Sequence, residues 1–82
     1  MVRATVNKKV LDTLIRAKLA TMEKCRGVRP LPVRWQEPDA NGTNWVLTGW
    51  AGGSDEVRHC EEHMQDYLAL LRSNFLVTRE GS

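Results

Sequence analysis

One stretch limits what this chain can fold into more than any other: residues 31–50, LPVRWQEPDANGTNWVLTGW, which hold all three tryptophans. Leu31, Val33 and Trp35 alternate with Pro32, Arg34 and Gln36, the period-two pattern of a strand with one buried face. Pro38, Asp39, Asn41 and Gly42 then make a turn segment. Proline presets φ, aspartate bonds its own backbone, and Asn-Gly tolerates positive φ. Trp45, Val46, Leu47 and Thr48 resume the alternation with strand-favouring residues. A β-hairpin is expected. Pairing Trp35 with Trp45 sets Val33 opposite Leu47 and Leu31 opposite Gly49. That register gathers the large apolar residues of both strands on one face, leaving Val46 and Trp50 outside. A slip of one residue would turn half of them to solvent, so the register is well determined. Pro30 and Pro32 remove ladder donors and assign the first strand to a sheet edge. Two strands alone are marginal in water, so the apolar face needs a cover.

The flanking segments supply it. From about residue 6 to residue 25, Val10, Leu11, Leu14, Ile15, Met22 and Cys25 recur at helical spacing, with Lys18 inside the stripe and its stem lying along it. Asn7 or Thr5 fits the N-cap, Gly27 fits a left-handed position after the helix, and Pro30 blocks continuation. A second helix is expected from Ser54 as N-cap, with Asp55 and Glu56 in a first turn that favours anions. Its apolar face runs through Val57, Cys60, Met64, Tyr67, Leu68, Leu71 and Phe75, and Ser73 and Asn74 end it. Residues 75–78 read as a short third strand. The expected class is therefore α+β: helix, β-hairpin, helix and a short C-terminal strand, with both helices on one face of a small antiparallel sheet. Residues 1–82 make one small domain, with residues 1–5 and 79–82 frayed.

No apolar run approaches the roughly 20 residues that cross a membrane, and the opening MVRATVNKKV lacks the apolar region of a secretory signal. A cytoplasmic location is expected on this ground, and with it free, buried thiols at Cys25 and Cys60. Spacing alone permits a bond between them, but a reducing compartment disfavours it.

Charge is unevenly placed. Residues 1–35 carry nine basic residues against Asp12 and Glu23, a net of +7, and residues 36–82 carry three against eight acids, a net of −5. Part of this is helix chemistry. Lys24 and Arg26 sit near a helix C-terminus, Asp55 and Glu56 at an N-terminus, and Asp12 with Arg16 is a favourable i, i+4 pair. Lys8 and Lys9 oppose the dipole of the helix they start, so together with Arg3 they point to an external anionic partner. Arg29, Arg34, Val46 and an outward Trp50 extend that surface over the open face of the hairpin.

Catalytic chemistry finds no constellation, and no enzyme activity or cofactor is expected. His59, Cys60 and His63 fall within five residues and are the weak metal candidates. The helical wheel, however, sends Cys60 to the core and both histidines to solvent. Acids at 55, 56, 61 and 62 would raise the pKa of a Cys60 nucleophile. The reading is a non-enzymatic binding or adaptor module that engages a protein partner through Arg3, Lys8, Lys9, Arg29, Arg34, Val46 and Trp50. One alternative is salt-dependent nucleic-acid binding through the same cations, although no helix-turn-helix, zinc-finger or RNP-type signature is present. The other is a metal or redox protein using Cys25, His59, Cys60 and His63. A homodimer through the sheet edge or the last apolar segment fits any of the three.

Overall fold

The computed structural model describes residues 3–79 and is of the α+β class. Strand β1 (Ala4–Val6) leads into helix α1 (Lys8–Ala20), followed by a single 3₁₀ turn (Glu23–Cys25). Then come β2 (Arg29–Pro30), β3 (Val33–Trp35), β4 (Trp45–Leu47), β5 (Trp50–Ala51), helix α2 (Ser54–Asn74) and β6 (Phe75–Val77). No helix is long and apolar enough to cross a membrane among the described residues.

The hairpin forms in the expected register: Val33 pairs with Leu47, Arg34 with Val46 and Trp35 with Trp45, all antiparallel. The same register continues through Pro30 with Trp50 and Arg29 with Ala51, and the Leu31 N–H donates to the Gly49 carbonyl at 2.9 Å. Residues 29–36 and 44–51 thus make one ribbon, but its inward face changes over midway. Val33 and Trp45 are buried and Trp35 and Leu47 half-buried, whereas Leu31, expected on the same face, is exposed. Pro30 is buried instead, and Trp50 opposite it packs on the core, correcting the outward orientation expected for Trp50. The change falls where Pro32 brings no donor and where Gly49 holds φ +152°. A side chain at position 49 would meet Leu31 at 3.2 Å.

Helix α1 starts at the expected cap, Asn7 Oδ1 accepting from the Val10 N–H at 3.1 Å. It ends earlier than its apolar pattern. The Thr21 hydroxyl and N–H both donate to the Lys18 carbonyl (2.7 and 3.0 Å), closing the last turn. Leu11, Ile15 and Leu19 form its buried stripe, while Val10, expected within it, is 40% exposed. The 3₁₀ turn and Gly27, at φ +77°, then swing Cys25 and Val28 into the core. In α2 the apolar face is as expected, with Cys60, Met64, Leu68 and Leu71 buried. Ser54 is its first residue rather than its cap, Gly53 taking the cap position with no side-chain bond.

Two features depart from the expected order. Ala4 and Thr5 do not fray; with Val6 they form β1, which pairs in parallel with β6, Ala4 opposite Phe75 and Val6 opposite Val77. The fraying expected at residues 1, 2 and 80–82 lies outside the described residues. The C-terminal strand forms as expected but joins β1 rather than the hairpin. Side chains make that second connection. Asn44 Nδ2 donates to the Val77 carbonyl and Asn44 Oδ1 accepts from the Val77 N–H, both at 2.9 Å. The Trp45 indole N–H donates to the Phe75 carbonyl at 3.0 Å. The amide of Asn44 thus stands in for a strand residue on the free edge of β6.

Cys25 and Cys60 are bonded to each other, with Cα atoms 5.0 Å apart and a sequence separation of 35. This corrects the expectation of two free thiols. The 3₁₀ turn brings Cys25 to the first turns of α2, where both residues are at most 3% exposed.

Candidate binding groove

The cations of the N-terminal half do not gather into the patch that sequence alone suggested. Arg3 is drawn to the hairpin tip, where its guanidinium donates to the Asn41 carbonyl at 2.6 Å and packs beside Gly42. The tip itself is closed by Asp39. Its carboxylate accepts from the N–H groups of Asn41 (2.9 Å) and Thr43 (3.1 Å), its own N–H donates to the Thr43 carbonyl, and its carbonyl accepts from Gly42 at φ +81°. Arg3 therefore serves the fold. Arg34 and Val46 face each other across the ribbon on the side away from the core. Trp50 is half-buried.

Lys8 and Lys9 line one of two neighbouring open hollows and Arg29 the other, each of about 340 Å³. The first is lined by Lys8, Lys9, Asp12, Arg16, Pro30, Pro32 and Val33. The second runs from Arg16 and Leu19 around the 3₁₀ turn to Arg26, Val28, Arg29 and Pro30. Arg16 and Pro30 line both, so the two hollows adjoin along a groove between α1 and the first strand of the ribbon. Five cations (Lys8, Lys9, Arg16, Arg26, Arg29) rim it against two acids, Asp12 and Glu23. Buried Leu19, Val28, Pro30 and Val33 underlie it. Asp12 is already engaged, accepting from Arg16 Nε at 2.8 Å. Lys9, Arg26 and Arg29 have no ion-pair partner among the described residues.

Arg16 and Arg26 were missed as site residues because each had a sufficient local explanation, Arg16 in its pair with Asp12 and Arg26 at a helix end. The signal for Arg16 was its spacing: Lys9, Asp12 and Arg16 stand at i, i+3 and i+7 on one helical flank.

Among the described residues, side-chain ion pairs form within each charge block and not between the two. Arg16–Asp12 lies within α1 and Arg58–Asp55 within α2. Contacts between the halves are of other kinds: Lys18 Nζ sits 5.4 Å from the Tyr67 ring centroid, and the Tyr67 hydroxyl donates to the Leu14 carbonyl at 3.4 Å.

The Cys/His candidates are dispersed. Both cysteines are in the disulfide, where neither can act as a thiolate ligand. His63 Nε2 lies 3.3 Å from the ammonium of Lys24, a cation where a metal would need to approach. No group of three or more His, Cys, Asp or Glu residues is placed to hold an ion among the described residues. No tryptophan lines the groove, and Trp50, the one paired with Pro30, is half-buried against the core. Trp45 is 1% exposed, Arg72 lies 5.8 Å from its ring centroid, and Arg79 lies 4.5 Å from that of Trp35.

No family model matches the chain, and no curated protein or solved structure is significantly similar to it.

Proposed function

We propose that this chain is a non-enzymatic binding module that holds an acidic segment of a protein partner in the groove between α1 and β2. The observation that carries the reading is the groove itself: five cations along two adjoining hollows with an apolar floor, three of them without an ion-pair partner among the described residues. An extended or helical acidic segment would satisfy the rim charges and cover the apolar residues beneath. A nucleic acid would use the same cations but would find no aromatic platform beside them, which places its binding at the level of backbone electrostatics.

The test is affinity for a poly-glutamate peptide and for a short random DNA duplex, with Lys9→Glu and Arg29→Glu as the probe. The module reading expects the peptide to bind and the double variant to weaken it at least tenfold. Tighter binding of the duplex, with a steep salt slope, replaces it with the nucleic-acid reading. No dependence of peptide binding on Lys9 and Arg29 overturns the groove.

The location belongs to the same proposal. A buried structural disulfide belongs to an oxidising compartment, whereas the cytoplasm expected from the N-terminal residues would hold the pair reduced. Alkylation of the chain in freshly quenched cells reads the thiol state directly.

A further inference from the structure

Two exposed helical stripes carry the same spacing with opposite signs. On α1, Lys9, Asp12 and Arg16 stand at i, i+3 and i+7 and read plus, minus, plus. On α2, Asp55, Arg58 and Glu62 stand at i, i+3 and i+7 and read minus, plus, minus. Each stripe contains one internal pair, Arg16 with Asp12 at 2.8 Å and Arg58 with Asp55 at 3.3 Å, which holds its arginine along the helix. The side chains remain in solvent: Arg16 is 52% exposed, Arg58 69% and Asp55 85%. Seven residues of helix span about 10 Å, so charges of the two stripes meet one for one when the helices lie side by side.

We infer that the acidic partner of the α1 face includes a second copy of this chain, which presents its α2 stripe. The inference rests on reading α1 as the binding face and names its occupant. In parallel alignment Lys9 meets Asp55, Asp12 meets Arg58 and Arg16 meets Glu62. The neighbouring charges agree: Lys8 adds a cation at the start of the α1 stripe, and Asp66 adds an anion one turn beyond Glu62. Among the described residues no ion pair joins one stripe to the other or to the rest of the fold, the pairs of each lying inside its own helix. Self-association driven this way is steeply salt-dependent, since exposed charges are screened beyond about 10 Å at 0.1 M ionic strength.

Sedimentation equilibrium of the chain alone, at low and at high salt, tests it. The expected result is an average mass above the 9.3 kDa monomer at low salt that returns to the monomer at high salt. Two charge-reversed chains sharpen the test: Lys9→Glu with Arg16→Glu, and Asp55→Lys with Glu62→Lys. Each alone stays monomeric. Mixed, they associate again, because the first retains the native α2 stripe and the second the native α1 stripe. A wild-type chain that is monomeric at low salt overturns the inference, as does an assembly whose mass neither reversal changes. Binding of poly-glutamate by that same monomeric chain would show the groove standing without the self-partner. Loss of both would remove the two together.

Discussion

The two ends of the ribbon are built on opposite principles. At the hairpin tip polar side chains are engaged inside the fold: Asp39 closes the turn, Arg3 holds the Asn41 carbonyl, and Asn44 and the Trp45 indole fasten β6. At the other end, where β2 runs beside α1, cations stand around an open hollow and Lys9, Arg26 and Arg29 have no ion-pair partner among the described residues. Polar groups satisfied inside a fold hold it together, because leaving a buried one unpaired costs about 1–3 kcal/mol. Charges left in solvent contribute little to stability and remain available for a partner. Substitutions at the tip that cut its ties to β6 should therefore destabilise the protein, and substitutions at the groove should leave it folded and change what it binds.

The largest effect is expected at Trp45, which is 1% exposed and carries the bond to Phe75. Trp45→Ala should cost about 3–5 kcal/mol in chemical denaturation, and a loss below about 1 kcal/mol would mean that the tip is not anchored to β6. Reduction of the Cys25–Cys60 bond comes next. Opening a cross-link with a sequence separation of 35 should lower stability by about 4 kcal/mol, measured with and without reductant. Asn44→Ala removes both bonds to the Val77 backbone and should cost about 2 kcal/mol. Hydrogen exchange should then show the Val77 amide losing protection before those of α2. Smallest is Lys9→Glu with Arg29→Glu, expected to shift stability by no more than about 0.5 kcal/mol. A larger loss there would erase the contrast between the two ends.

What was legible in the sequence follows the range of the interactions. The ribbon register could be read because alternation in residues 33–35 and 45–47 leaves only one pairing that buries Val33 and Trp45 together. The face of α2 could be read because helical periodicity is local. The parallel pairing of β1 with β6 could not, since Ala4 and Phe75 meet across nearly the whole chain and three-residue strands carry no pattern of their own. The turnover at Pro32 and Gly49 was hidden for a related reason: alternation assumes a ribbon that keeps one face inward, and it misassigned Leu31 and Trp50. At the site, Lys8 and Lys9 were legible as cations that oppose a helix dipole, and Arg29 by sign alone. Arg3 was misplaced because its partner, the Asn41 carbonyl, is backbone 38 residues away. Arg26 joined the groove only because the 3₁₀ turn folds back past α1, a path set by Thr21 and by the disulfide.

The most direct test of the contrast is an NMR titration of the isotope-labelled chain with a poly-glutamate peptide, first at low and then at near-physiological salt. Shifts gathered on Lys8, Lys9, Arg16, Arg26 and Arg29, with the amides of residues 39–44 unmoved, are the expected result. Shifts centred on the hairpin tip, or on Arg34 and Val46 with the groove silent, would contradict it.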